Sequence, residues 1–190
     1  GDARHPQMQS IINQKVKFRE GFRPFAPLVL AEHASEYFDI EPRHDSPYML
    51  LVAGVRADKR LPTPDELQDV QGLDQLSVKR SVIPAVTHVD YSARLQTVDA
   101  QRNPRLQRLL SHFHEQTGCP VMINTSFNLA TEPIVCTPAE AYNTFMSCNS
   151  DRLVLDRFVV SKSAASDRVA SDAKLRAGNL ELSQNADRPA

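Results

Sequence analysis

Hydrophobic residues recur along this chain in short blocks that switch between helical and extended spacing. Blocks with helical spacing predict four helices, over residues 6–16, 32–38, 103–118 and 137–147. Short apolar runs bounded by polar or turn-forming residues predict strands, over residues 28–30, 48–53, 82–89, 93–98, 119–123, 152–155 and 158–162. The pattern therefore predicts a chain in which strands and helices alternate.

Two of the predicted helices carry boundary signals of their own. Asn103 is a suitable N-cap, the proline after it suits the first helical position, and Gly118 can close the helix in a left-handed conformation. Thr137 and Glu140, separated by a proline and an alanine, form a capping-box signature. These signals fix where both helices begin and where the first of them ends.

Turn-forming residues between strands indicate how the sheet is connected. Asp90, Tyr91 and Ser92 separate the predicted strands 82–89 and 93–98, which indicates a hairpin or a bent strand and therefore some antiparallel pairing. We predict a mixed α/β (α+β) fold, in which a single twisted mixed sheet is flanked by helices.

Two segments depart from this alternation. Residues 56–80 are rich in charge, glutamine and proline, and they predict an excursion from the sheet with a helical turn at 65–70. Beyond Lys162 the apolar content falls, and serine, alanine, aspartate and asparagine dominate. We therefore expect one domain over 1–162 and a disordered tail over 163–190.

Composition argues against several classes of function. The 22 lysines and arginines nearly balance the 23 aspartates and glutamates, so the electrostatic footprint of a general nucleic-acid binder is missing. No apolar run approaches the roughly 20 residues that cross a bilayer, and the N-terminus has no signal-peptide pattern. Three cysteines without C-x-x-C spacing argue against a disulfide framework or a structural zinc site. We expect a soluble, cytoplasmic protein with no nucleic-acid or membrane partner.

Four cations follow one another at short intervals on a loop that Gly21 and Pro24 keep out of a regular helix. In an extended chain, alternate side chains project to the same side, where cations can grip the oxygens of a phosphate or pyrophosphate. An exposed basic strand edge is the alternative, and composition alone favours it. The four cations are Lys15, Lys17, Arg19 and Arg23.

A cluster of small polar residues follows the predicted strand 119–123. Hydroxyls, amides and backbone N–H groups at such a strand end can hydrogen-bond a phosphate or a base edge without adding charge. A turn whose side chains satisfy only the backbone is the alternative. The cluster comprises Asn124, Thr125, Ser126 and Asn128.

Polar residues also alternate through a third segment. If residues 88–96 are extended, five polar side chains share one face, which either meets water or lines a site. They are His88, Asp90, Ser92, Arg94 and Gln96. No zinc-protease pattern, phosphate-loop motif or glycine-rich dinucleotide turn occurs, so we predict no metal site, and a nucleotide site would have to use side chains.

Three motifs follow one another along the chain: INQKVKFREGFRPFAP from residue 12, HVDYSARLQTV from residue 88, and PVMINTSFN from residue 120, followed by EPIV. In this order they resemble the C-terminal domain of the carbamoyltransferase family, which includes nodulation-factor and antibiotic-tailoring O-carbamoyltransferases. The likeness covers residues 1–162. Two shorter motifs, Lys17-Phe-Arg19 and Ser126-Phe-Asn128, are similar to those of YrdC-like proteins.

The resemblance implies a YrdC-like fold that forms carbamoyl adenylate from carbamoyl phosphate and ATP, with release of phosphate and pyrophosphate. ATP with Mg²⁺ is the implied cofactor, and carbamoyl phosphate is the co-substrate. An N-terminal Kae1-like transferase domain of the same full-length protein would then pass the carbamoyl group to a small-molecule hydroxyl acceptor. Because the chain opens on Gly1 with no transferase half, we expect the adenylate-forming part alone; a complete small protein that has lost its methionine is the alternative.

This reaction gives each polar cluster a role. Cations that neutralise the phosphates should lower the barrier, and neutral donors should orient the α-phosphate or the carbamoyl group. The resemblance implies catalytic roles for Lys17, Arg19, Arg94 and Ser126. The implied binding residues for the nucleotide or carbamoyl phosphate are Lys15, Arg23, Asn124, Thr125, Asn128 and Asp90.

The chain departs from the family's usual pattern at two glycines. Tyr91 and Ser92 stand where the family commonly has Gly-Thr, and Thr131 stands where a glycine commonly precedes Glu-Pro-Ile-Val. Loss of a glycine can close off a turn that needs a positive φ, or narrow a pocket. The alternative function is therefore a catalytically degenerate domain that serves as a structural or interaction module.

Overall fold

The strand Ala26–Leu30 is buried at every position, which places it at the centre of a four-stranded mixed sheet. The computed structural model describes residues 1–62 and 72–162. The four strands are β1 (Ala26–Leu30), β2 (Leu51–Gly54), β3 (Ser92–Val98) and β4 (Val121–Asn124). Their spatial order is β2-β3-β1-β4; β3 and β1 are parallel, and the other two pairs are antiparallel. The predicted mixed sheet flanked by helices is confirmed, and the YrdC-like detail stays a prediction.

Helices and single turns join these strands within a compact unit that runs from Gly1 to Ser126. The helices are α1 (Met8–Ile12), a π-helical turn (Asn13–Lys17), α2 (Ala34–Tyr37) and α3 (Pro104–Thr117), and the 3-10 turns are Ala31–His33, Ala57–Lys59, Gly72–Ser77 and Pro84–Val86. The capping signals predicted for α3 are confirmed. Asn103 Oδ1 accepts the Leu106 N–H at 3.2 Å, and Gly118 ends the helix at φ 70°.

Both faces of β1 are covered. Successive side chains of a strand point to opposite sides, so the two faces pack against different residues. Val29 faces the larger core, where it packs among residues that include Phe38, directly after α2, and Leu95 of β3. Leu28 and Leu30 face the other way and pack against Leu110 of α3. Burying one such side chain contributes about 1.5–3 kcal/mol, so the covering of β1 on both faces holds the strand ends in place.

Residues 127–162 form the described part of a second compact unit. It contains α4 (Pro138–Ser147) and an antiparallel pair, β5 (Arg152–Leu155) and β6 (Phe158–Ser161). Thr137 and Glu140 form the predicted capping box, with the Glu140 N–H donating to Thr137 Oγ1 at 3.2 Å. Phe145 of α4 is fully buried against Leu153 of β5, which gives this unit a small core of its own.

The strand predicted over 82–89 is wrong. Pro84 opens a 3-10 turn there, because proline lacks an N–H for a strand ladder. The Ser81 hydroxyl accepts the Ile83 N–H at 3.0 Å and lies 2.7 Å from the Thr87 hydroxyl, so side chains satisfy this backbone instead of a partner strand. The hairpin predicted around Asp90 is therefore absent, and β3 pairs with β2 and β1.

Two predicted elements begin or end elsewhere. The strand predicted over 48–53 begins at Leu51, since Ser46 Oγ accepts the N–H groups of both Leu50 and Leu51. The helix predicted over 6–16 changes after Ile12 from α-helical to π-helical geometry. The predictions for 65–70 and 163–190 lie outside the described residues. Across the described ranges, the chain has no helix with the length and apolar character that a membrane crossing needs.

Candidate functional site

The cationic segment, residues 13–23, was predicted to be extended, but it begins with a helical turn. Asn13–Lys17 is a π-helical turn, and Phe18 after it adopts the left-handed conformation at φ 48°. The four cations therefore do not project together to one side. Lys15 and Arg23 are exposed, and Arg23 pairs with Glu20 at 2.9 Å, whereas the two cations between them turn inward. π-Helical turns and left-handed non-glycine residues are both enriched at functional sites.

Lys17 is the most deeply buried of these cations, with 5% of its surface exposed. Its ammonium donates to the backbone oxygen of Ser126 and, at 3.1 Å, to the Ser126 hydroxyl. Burial, followed by the neighbouring charge of Arg19, lowers the pKa of Lys17 below its ordinary value. The structure thus joins two predicted catalytic residues that are 109 positions apart in the chain.

Arg19 lies next to Lys17 and is held in a fixed orientation. Its Nε donates to Asn13 Oδ1 at 2.6 Å, and its guanidinium lies 5.0 Å from the centre of the Phe25 ring. Burial, and then the charge of Arg23, lowers the pKa of Arg19. Two cations therefore share a small region that is partly withdrawn from water, which strengthens their electrostatic effect on an anion.

The polar cluster after β4 continues this region. Asn124 Nδ2 donates to Gln96 Oε1 of β3, and Gln96 in turn donates to the Pro47 carbonyl at 3.1 Å. Ser126 is exposed, and Thr125 before it is half-buried. The end of β4 therefore presents a hydroxyl beside the Lys17 ammonium, while the Asn124 amide is tied to its neighbour strand.

Arg94 and Gln96 lie on one face of β3, and strand pairing places Asn124 on that face too. Arg94 is exposed. His88 and Asp90, which were predicted to extend this polar face, precede the strand and form a turn, so that part of the prediction is wrong. The reason is local, because the His88 N–H donates to the Ser92 carbonyl at 3.0 Å and closes the chain on itself.

The turn before β3 is nonetheless polar and structured. Asp90 Oδ1 accepts the Ser92 N–H at 2.9 Å, and hydrogen bonds from the Ser92 side chain and backbone lower the pKa of Asp90. Burial lowers the pKa of His88, which favours the neutral form of its ring. Both residues, together with Pro24, line a cavity of about 470 Å³. A cavity of that size accommodates a ligand as large as a nucleoside.

Asn128 belongs to the second unit and shapes its own loop. Its Nδ2 donates to the carbonyls of Leu129 at 3.0 Å and Glu132 at 2.8 Å. The Glu132 carboxylate receives the Thr144 hydroxyl at 3.3 Å. These contacts hold Asn128 to the backbone of its own loop, and its role in binding the nucleotide or carbamoyl phosphate stays a prediction.

The two departures from the family's glycines differ in their structural consequence. Tyr91 adopts φ 63°, a backbone conformation that glycine enters at no steric cost. The Tyr91 ring lies 4.8 Å from the Arg60 guanidinium, which partly offsets that strain. Thr131 is not among the residues with a positive φ, so its backbone needs no glycine.

Sequence reasoning missed Asn13, which contacts a cation of the site, and Gln9, which holds only the neighbouring loop. Asn13 is fully buried, and its amide donates to the carbonyls of Gly21 and Arg23 as well as accepting from Arg19. Gln9 donates to the carbonyls of Phe22 and Arg23. A polar residue directly after Ile11 and Ile12 was the available signal, but its meaning depends on how the chain folds back over residues 18–25.

Among the described residues, no three histidine, cysteine, aspartate or glutamate side chains are grouped closely enough to hold an ion. Around Lys17, the Arg19 side chain adds cationic donors and Ser126 adds a neutral hydroxyl. Such donors suit phosphate oxygens.

Comparisons with known proteins identify the family of this chain. The family model described as "Carbamoyltransferase C-terminus" matches residues 1–162. Nodulation protein NolNO of Sinorhizobium fredii is 39% identical over 166 residues, which is 87% of this chain and 22% of that protein. Nodulation protein NolO of Bradyrhizobium diazoefficiens is 37% identical over 166 residues, with 87% and 27% covered.

A further relative is the Synechocystis protein sll1178, which is 51% identical over 168 residues, or 88% of this chain and 27% of that protein. The chain thus spans about a quarter of the length of the curated relatives it matches. The family model covers every residue discussed above. The chain therefore belongs to the carbamoyltransferase C-terminus family.

Proposed function

We propose that this domain forms carbamoyl adenylate from carbamoyl phosphate and ATP. The observation that carries the proposal is the buried Lys17 ammonium held against Ser126 at the end of β4. Release of both phosphate and pyrophosphate requires one water: water takes phosphate from carbamoyl phosphate, and a carbamate oxygen then attacks the α-phosphorus as pyrophosphate leaves. The carbamate and the phosphates of ATP, all anionic, must therefore come together at one point of the site.

The two inward-facing cations supply the charge that this meeting needs. A unit positive charge about 4 Å from a phosphate contributes roughly 4 kcal/mol at an effective dielectric constant of about 20. Lys17 and Arg19 are both partly desolvated, so their charges are weakly screened. Arg94, exposed on the face of β3 that carries Gln96, adds a third cation, while Lys15 and Arg23 raise the potential from the periphery.

Neutral donors orient the reacting groups. Lys17 fixes the Ser126 hydroxyl by donating to its Oγ, which favours that hydroxyl as a donor to a phosphate oxygen. Thr125 lies next to it, and the Asn124 amide oxygen remains beside the same strand end. We assign the base and ribose of ATP to the cavity lined by His88 and Asp90, whose neutral imidazole and fixed carboxylate suit a hydrogen-bonding ligand. Mg²⁺ enters with the triphosphate, held chiefly by phosphate oxygens.

A longer protein completes the reaction in this proposal. The curated relatives are about four times the length of the matched region, which leaves room for an N-terminal Kae1-like transferase domain. That domain would pass the carbamoyl group to the hydroxyl of a small molecule. Nodulation proteins NolNO and NolO are examples of such longer relatives. ATP and carbamoyl phosphate as substrates place the reaction in the cytoplasm.

The proposal is tested by calorimetry of this chain with ATP, in the presence and absence of carbamoyl phosphate, combined with an assay of pyrophosphate release. We expect ATP to bind, and Arg94→Ala and Ser126→Ala each to lower carbamoyl-phosphate-dependent pyrophosphate release by at least about tenfold. Arg108→Ala, at an exposed position of α3, is the matched control and should leave the rate unchanged. Absence of ATP binding under both conditions would support the structural or interaction module instead.

A further inference from the structure

Asn13 makes three side-chain hydrogen bonds within the cationic segment. It is fully buried, and its backbone carbonyl accepts the N–H groups of both Phe18 and Arg19. Its Nδ2 donates to the Gly21 carbonyl at 3.2 Å and to the Arg23 carbonyl at 2.9 Å. Its Oδ1 accepts from Arg19 Nε at 2.6 Å. All three of these side-chain hydrogen bonds are thus made with the loop that carries Arg19.

These contacts leave one edge of the Arg19 guanidinium for a ligand. A guanidinium carries five N–H donors in a planar fork. The Nε donor is taken by Asn13 Oδ1, and the Phe25 ring lies against the group at 5.0 Å. Among the described residues, neither terminal nitrogen of Arg19 has a hydrogen-bond partner. The outward edge therefore holds two parallel donors at the spacing of two oxygens on one phosphorus.

We propose that Asn13 is a positioning residue that orients Arg19, so that its two terminal nitrogens bind two oxygens of one phosphate group end-on. The ligand class is a pyrophosphate or an acyl phosphate. This inference rests on the proposed function for its biological substrate. Its own claim concerns the coupling between Asn13 and Arg19 in binding a phosphate group.

A purely structural role for Asn13 predicts different behaviour, and Gln9 separates the two roles. Gln9 Nε2 donates to the Phe22 carbonyl at 2.7 Å and to the Arg23 carbonyl at 3.1 Å, so it holds the same loop. The hydrogen bonds of Gln9 do not involve the Arg19 side chain. Gln9→Ala therefore removes loop-holding bonds while it keeps the guanidinium orientation, and it is the matched control for Asn13→Ala.

The test is a double-mutant cycle read by calorimetry with inorganic pyrophosphate alone. Arg19→Ala should weaken binding by about 10- to 100-fold, the range of one charge-assisted hydrogen-bonded pair. Asn13→Ala should weaken binding by about tenfold, and the double variant should bind no more weakly than Arg19→Ala. Gln9→Ala should stay within about threefold of the unmodified chain. Urea unfolding of each variant verifies that it is folded.

Three outcomes would overturn the inference. One is that the losses from Asn13→Ala and Arg19→Ala multiply in the double variant. Another is that Gln9→Ala weakens binding as much as Asn13→Ala does. The third is that the unmodified chain binds no pyrophosphate. Because no carbamoyl phosphate or turnover is involved, a domain that forms no adenylate can still show the coupling, so failure of the two proposals is distinguishable.

A second variant keeps the test decisive if Asn13→Ala does not fold. Arg19→Lys retains the positive charge but has neither Nε nor a planar fork. We expect Arg19→Lys to weaken pyrophosphate binding by about tenfold, since orientation and not charge alone is at stake. Binding equal to that of the unmodified chain would contradict the orientation argument.

Discussion

Replacing Lys17 with methionine should abolish the proposed activity while leaving the fold almost as stable as before. The change removes the ammonium and keeps an unbranched side chain of similar length. Lys17 is 5% exposed, so methionine enters a site that is already dry. Ser126 accepts Lys17 hydrogen bonds at its backbone oxygen and its hydroxyl, and it is exposed, so water can replace them.

The expected stability change is the difference between two terms of similar size. Two hydrogen bonds from a charged group to Ser126 are lost, at about 1.5–3 kcal/mol each. The cost of holding an ammonium away from water, several kcal/mol, disappears at the same time. We expect the free energy of unfolding to change by no more than about 1 kcal/mol. The loss of roughly 4 kcal/mol of attraction for a phosphate corresponds to about a 1000-fold lower rate.

The pH dependence of the comparison has a definite sign. Burial lowers the pKa of Lys17 in the folded chain below the ordinary value of 10.5. Between the folded and the ordinary pKa, the unfolded chain binds more protons, so the unmodified protein gains stability as the pH rises. The penalty of the buried charge is fully present below the folded pKa. Any advantage of Lys17→Met should therefore be largest near pH 7 and shrink toward pH 10.5.

Urea unfolding at a series of pH values measures the stability, and pyrophosphate release measures the activity. Lys59→Met, at a lysine outside the site, is the control for loss of a positive charge. A destabilisation of about 3 kcal/mol or more would refute the reasoning, because Lys17 would then be needed to stabilise the fold. Full activity in a stable variant would refute it as well.

Three further predictions concern stability. Tyr91→Gly should raise the free energy of unfolding by about 0.5–1 kcal/mol, because it relieves about 1–2 kcal/mol of left-handed backbone strain and loses only about 0.5–1 kcal/mol of contact with Arg60. Thr131→Gly is the control, and it should not stabilise the protein because Thr131 has no positive φ to relieve. Urea unfolding compares the two variants. Lys162→Met should destabilise residues 127–162 by about 1–2 kcal/mol, because the Lys162 ammonium donates to carbonyls at the end of α4; thermal unfolding measures this, and an unchanged midpoint would contradict it. Phe145→Ala should cost about 3–5 kcal/mol in the same assay, and a cost below about 1 kcal/mol would show that the small core is not as packed as described.

Elements whose signals are local could be predicted from the sequence. The helix that Asn103 opens and Gly118 closes, and the capping box of Thr137, depend on contacts within one turn, and all of these were predicted correctly. The prediction of a strand over 82–89 was wrong for a related reason. The apolar alternation of this segment was outweighed by Pro84 and by hydrogen bonds between hydroxyl groups and the backbone. Hydrophobic periodicity gives no information about such hydrogen bonds.

The site was only partly predictable, because its contacts are distant in the chain. Lys17 and Ser126 were both expected to be site residues because of the resemblance, but the π-helical turn that brings them together was not expected. Five residues are too few for a period to separate a π-helical from an α-helical turn. Asn13 was missed because an asparagine beside a helix usually marks a cap or a turn, and its role arises only once the loop folds back around it.

The central claim is that this domain makes a mixed anhydride between AMP and carbamate, and the most direct measurement is exchange of labelled pyrophosphate into ATP. Adenylate formation is reversible while the carbamoyl adenylate stays bound. Pyrophosphate can then leave, labelled pyrophosphate can take its place, and the reverse step gives labelled ATP, so exchange should require carbamoyl phosphate as the source of carbamate. The account predicts exchange by the unmodified chain in the presence of carbamoyl phosphate and its loss in Lys17→Met. A chain that binds ATP and carbamoyl phosphate yet exchanges no pyrophosphate would contradict it.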